Sequence, residues 1–84
     1  MNYYEIIIEG ANGSKIKLFY PTFKGSTEAK RHATTMANRL GRWKYIEIWY
    51  VKESFDYSLS SKGNKKEREY VSGRGKVDIW VDYE

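Results

Sequence analysis

The sequence predicts an α+β fold, a two-layer sandwich in which a mainly antiparallel sheet carries one helix on one face, with elements in the order ββαβββ. Three observations carry this. Asn12-Gly13 sits between two runs rich in aromatic and β-branched residues, the signature of a hairpin. Ser26 to Leu40 spaces its apolar residues at the helical period. After Gly41 the chain returns to two-residue alternation. With 84 residues there is room for a single compact domain over 1–84.

The hairpin runs from Tyr3–Glu9 through the turn to Lys15–Tyr20. Two registers compete. A two-residue turn at Asn12-Gly13 pairs Ile8 with Lys17 and mixes apolar and charged residues on both faces. A three-residue loop, Ala11-Asn12-Gly13 with Gly13 left-handed, pairs Ile8 with Ile16, Ile6 with Leu18 and Tyr4 with Tyr20. It also sets Glu9 opposite Lys15. A one-residue slip inverts the faces of a strand, so the register that separates them is expected.

Pro21–Gly25 breaks the pattern before the helix. Ser26 or Thr27 is the expected cap, with Glu28 in the first turn where the helix dipole favours an acid. Gly41 is the expected left-handed stop. At 100° per residue Ala29, Ala33, Met36 and Leu40 lie within about 40° of one another, with Ala37 on the flank. So thin a stripe lets the helix lie close on a sheet. Lys44–Lys52 is the third strand, with Ile46, Ile48 and Tyr50 inward. Ser54–Ser60 either continues it past a bulge or forms a separate piece. A turn at Ser61–Asn64, a charged strand Lys65–Val71, a tight turn at Ser72–Gly75 and a last strand Lys76–Tyr83 complete the order. In that last strand Val77, Ile79, Val81 and Tyr83 share one face, and Asp78, Trp80 and Asp82 the other.

Composition removes several function classes. There is no cysteine, which excludes a disulfide scaffold, a thiolate metal site and a cysteine nucleophile. No apolar run approaches the roughly 18 residues of a membrane span, and the polar start does not read as a signal peptide. A cytoplasmic protein with no membrane partner is expected. His32 is the lone imidazole; Glu28, one helical turn earlier, is its potential partner as a base and its orienter. No nucleophile or second base accompanies them, so the reading is a boundary histidine, not an active site. No metal site is expected from one histidine and no cysteine, and Asp78 and Asp82 read as a solvated strand face. No cofactor motif is present: Gly73-Arg74-Gly75 lacks the remaining glycines and the strand-turn-helix context of a phosphate loop. The chain reads as a non-enzymatic binding module.

Charge resolved along the chain is more telling than the net +4. Residues 14–44 hold eight bases against the single acid Glu28. A second basic group, Lys62, Lys65, Lys66, Arg68, Arg74 and Lys76, gathers around the two late turns. Such asymmetry suits a polyanionic partner, whether nucleic acid or an acidic protein surface. With Ile6, Ile8, Ile16, Leu18, Ile46 and Ile48 turned to the helix, alternation sends Ile7, Phe19, Trp49, Val51 and Trp80 to the other face. One helix cannot cover both faces, so that aromatic face meets water, a ligand or another chain unless residues 53–72 fold back across it.

Two functions follow. In the first, Lys15, Lys17, Lys30, Arg31, Arg39, Arg42 and Lys44 neutralise phosphates, with Phe19, Trp49 and Trp80 available to stack on bases. In the second, the aromatic face anchors a protein partner or a second copy in a homodimer. That would be an inhibitor or accessory protein of the kind that phages and mobile elements encode.

Overall fold

The computed structural model describes residues 2–55, 64–75 and 80–82. The fold is α+β: a four-stranded antiparallel sheet with one helix packed against it, in the order ββαββ rather than ββαβββ. The strands are β1 (Asn2–Gly10), β2 (Lys15–Pro21), β3 (Trp43–Phe55) and β4 (Asn64–Arg74), with α1 (Ser26–Leu40) between β2 and β3. The sheet order is β2-β1-β3-β4. In place of the expected closing strand, two residues, Val81–Asp82, bridge to Gly73 and Ser72 on the outer edge of β4. β2 and β3 flank β1 antiparallel on either side, so they run parallel to each other. The segment joining them must cross β1, and that crossing lays α1 over one sheet face.

The hairpin takes the three-residue register. Ile8 pairs with Ile16, Ile6 with Leu18, Tyr4 with Tyr20 and Glu9 with Lys15. Gly13 has φ of 90°, which a residue with a Cβ rarely adopts. Asn12 Oδ1 accepts from both the Ser14 amide and the Ser14 hydroxyl, tightening the loop. β3 carries the same separation of faces onward, setting Ile48 beside Ile6 and Ile46 beside Ile8.

Helix α1 departs from expectation at its start. Its N-cap is Gly25, with φ of 87° and no side-chain cap, so Ser26 lies inside the first turn. The preceding 3-10 turn, Thr22–Lys24, brings the chain in at an angle that only glycine accommodates. Gly41 ends the helix as expected, at φ of 98°. The buried stripe is also rotated. Ala29, Ala33 and Ala37 are fully buried, whereas Leu40 is 49% exposed. Trp43 explains the rotation. Its ring is buried with the core and its Nε1 donates to Asn38 Oδ1 at 3.1 Å, pinning the Ala37 side of the helix to the sheet. A large indole fills what three methyl groups cannot.

The second half of the chain differs most. β3 continues to Phe55, so Ser54 and Phe55 extend the strand with no shift of register, while residues 56–60 of the expected segment lie outside those described. β3 has an extra residue, Lys44, against β1, where Glu9 faces Tyr45 but Gly10 faces Trp43; β4 has another, Val71, where Ile48 faces Ser72 but Trp49 faces Tyr70. β4 also runs through the expected turn at Ser72–Gly75 as far as Arg74. Gly73 is there for space: a Cβ would collide with the hydroxyls of Tyr45 and Tyr70, which bond to each other at 3.3 Å directly above it. Of the expected turn at Ser61–Asn64 only Asn64 is described, and it opens β4; of the expected strand Lys76–Tyr83, residues 76–79 and 83 lie outside those described.

Length explains what α1 leaves uncovered. Its 15 residues span about 22 Å, whereas the 13 residues of β3 span about 43 Å. Beyond the helix the same face is lined by Tyr50, Lys52, Glu67 and Glu69, around a shallow cleft of about 180 Å³.

Candidate nucleic-acid interface

The seven predicted phosphate-binding residues do not share one surface. Lys30 and Arg31 lie on the flank of α1, while Arg39, Arg42 and Lys44 cluster, exposed, where α1 gives way to β3. Lys15 and Lys17 sit on β2, on the sheet face away from the helix. There Lys17 Nζ lies 3.8 Å from Glu5 Oε2.

The three aromatic candidates divide as well. Phe19 is on the helix-free face, 60% exposed, with the ring of Tyr3 edge-on at 5.3 Å. Trp49 is on that face too, but its ring is already occupied: the Arg68 guanidinium lies 4.6 Å from its centroid and Tyr70 meets it edge-on at 5.3 Å. Its buried Nε1 finds no acceptor among the described residues. Trp80 is on the opposite face from the one expected. Val81 pairs with Gly73, on the helix-free side, and this sends Trp80 to the helix side, where it packs against the core. A one-residue phase difference in the last strand is enough to invert its faces.

That inversion builds the most chemically specific site among the described residues. Trp80 closes a groove of about 350 Å³ with Thr27, Lys30, Arg31, Thr34, Thr35 and Arg74. Lys30 Nζ lies 5.8 Å from the Trp80 ring. Arg74 is buried, with its guanidinium 5.0 Å from the Trp43 ring and 5.9 Å from that of Trp80. Its Nε donates to the Gly75 carbonyl at 3.1 Å, which fixes the guanidinium plane between the two indoles. Three cations and three threonines therefore line the groove beside one indole, with the Thr34 hydroxyl donating back to the Lys30 carbonyl at 3.0 Å, and none of the described lining residues is acidic. Glu28 stands just outside and is engaged by Arg31 at 3.2 Å.

Arg74 and Trp43 were the residues least visible in the sequence. Arg74 sits between two glycines and reads as part of a turn, so its strand position and inward direction are hidden. Trp43 had a usable signal: a helix stripe made mostly of alanine demands a large side chain from elsewhere.

The helix-free face is built differently. Glu5 is 1% exposed at its centre, held by Arg68 and by Lys17, with Phe19 and Trp49 as its cross-strand neighbours. The described parts of 53–72 lengthen the sheet rather than folding across this face. His32 does not form the pair with Glu28; its imidazole stacks on Tyr20, with centroids 4.7 Å apart. Among the described residues no three His, Cys, Asp or Glu side chains gather as metal ligands, and no helix is long and apolar enough to cross a membrane. Asp78, Lys62 and Lys76 fall outside the described residues.

Fold and site together define a small α+β domain with one cationic groove beside its helix and one ionic, aromatic sheet face. No family model, curated protein or solved structure matches the chain.

Proposed function

We propose that this chain is a non-enzymatic nucleic-acid-binding module whose interface is the groove beside α1. One observation carries the reading: Lys30, Arg31 and Arg74 line one groove with Trp80, and none of the described lining residues is acidic. Phosphates need cations and bases need a ring edge or face, and the lining of this groove includes both. Arg39, Arg42 and Lys44 extend the positive surface from the far end of the helix. Lys15 and Lys17 leave the set, because they lie on the other sheet face.

Anisotropy of a labelled single-stranded oligonucleotide tests this. Three phosphate contacts should give a slope of about −2 in log affinity against log salt. Lys30→Glu with Arg31→Glu should abolish binding, while Lys15→Glu should leave it unchanged. Salt-independent binding, or equal losses from both surfaces, would overturn the assignment.

A second reading, a protein-binding inhibitor or accessory module, is favoured by the exposure of Phe19 and of Phe23, the latter 85% exposed. It predicts the reverse ranking, with Phe19→Ala and Phe23→Ala costing partner affinity and Arg31→Glu costing none.

A further inference from the structure

We infer that the outer edge of β2 receives an extended, acidic segment of a partner protein as an added antiparallel strand. This does not depend on the groove beside α1, from which it is separated by the sheet.

Hydrogen-bond parity defines the edge. The Gly10 amide donates to the Ser14 carbonyl at 2.8 Å, which makes that pair a hydrogen-bonded one. Such pairs alternate along an antiparallel ladder, so Ile16, Leu18 and Tyr20 turn their backbone groups to β1. Lys15, Lys17 and Phe19 turn theirs outward, and no described strand pairs with them. Pro21 falls on the outward phase too, where a missing N–H costs no ladder bond. The open edge thus offers three donors, at Lys15, Lys17 and Phe19, and four acceptors, the fourth being the Pro21 carbonyl.

Side chains select the occupant. Lys15 and Lys17 project at alternate positions from the helix-free face of this edge. Beyond them Tyr3, Phe19, Tyr20 and Pro21 line an open apolar groove of about 490 Å³. An incoming antiparallel strand therefore needs an apolar residue first, then acids at the second and fourth positions after it. A second copy of this chain is a poor match. Pairing β2 with itself about Leu18 sets Lys17 diagonal to its own symmetry mate and brings four ammonium groups to one seam. Edge lysines discourage self-pairing for this reason, and the same charge attracts an acidic strand.

The probe is a capped peptide, Thr-Leu-Thr-Glu-Thr-Glu-Thr, added to the full chain while amide hydrogen exchange is followed by NMR. Protection should rise at Lys15, Lys17 and Phe19 and stay constant at Ile16 and Leu18, which are already bonded. Replacing both glutamates by lysine should abolish the effect. Lys15→Glu should weaken the acidic peptide about fivefold and admit the basic one. Lys17→Pro removes an outward donor without touching the β1 ladder and should eliminate binding; should that variant not fold, the Lys15→Glu reversal decides. No protection at millimolar peptide overturns the inference. So does equal binding of both peptides, or protection of these amides by self-association of the chain alone.

Discussion

The two faces of the sheet are buried by different means. Toward α1 the burial is apolar and dense: isoleucines from β1 and β3 meet fully buried alanines, and Trp43 closes the gap at the helix end. Away from α1 there is no covering element among the described residues, yet Glu5 and Val51 are as inaccessible as the isoleucines. There the side chains cover one another. Arg68 lies over Trp49 while its charge meets Glu5, and Tyr3 donates to Glu53 at 3.1 Å above Val51. Long amphipathic side chains can roof a sheet when their charged ends find partners at the rim. The difference teaches that exposure of a face is not decided by whether a helix lies on it.

This contrast can be broken most forcefully at Trp43. Trp43→Ala should cost about 3–5 kcal/mol in urea denaturation, because a buried ring leaves a cavity under a helix too thin to collapse into it. Glu5→Ala should cost less, about 2–3 kcal/mol. It leaves two cations without their buried carboxylate, but Lys17 and Arg68 are themselves 56% and 38% exposed and regain water. Were the two losses equal, the ionic face would be as much a core as the apolar one.

A smaller effect is expected at Gly73. Gly73→Ala pushes on the ends of two tyrosine rings that can swing away, so about 1–2 kcal/mol is expected from thermal denaturation. The accompanying change in tyrosine fluorescence should show that the hydroxyl pair has parted. The smallest effect on stability belongs to Arg31→Glu, below about 0.5 kcal/mol, since its pairing with Glu28 is at the surface. The same substitution should have the largest effect on oligonucleotide affinity among single changes in the groove. That opposition would separate the contacts that hold the molecule together from those that meet a partner.

Legibility followed the range of the interaction. Hairpin register, the presence and end of α1, and the division of β1, β2 and β3 into two faces were all readable. Each depends on residues near in sequence and on strict periodicity. The N-cap at Gly25 was not, because an approaching 3-10 turn, and not side-chain preference, set the backbone there. Nor was the far end of β4: Lys65–Val71 read as a strand, but one extra residue at Val71 and a glycine that reads as a turn concealed its run through Arg74. The candidate site inherited those errors. Local charge density marked Lys30 and Arg31 but also drew in Lys15 and Lys17, which the sheet places on the opposite side.

Alternation and charge along the chain determined the α+β class, the thin helix and a surplus of positive surface between residues 14 and 44. These follow from side-chain period and composition, which local steric rules translate directly into structure. Tertiary structure decided which positive charges stand together. Pairing of Val81 with Gly73 turned Trp80 toward the helix, and the reach of β4 brought Arg74 between two indoles. Both outcomes depend on the register between segments distant in sequence, where a shift of one residue exchanges the faces of a strand.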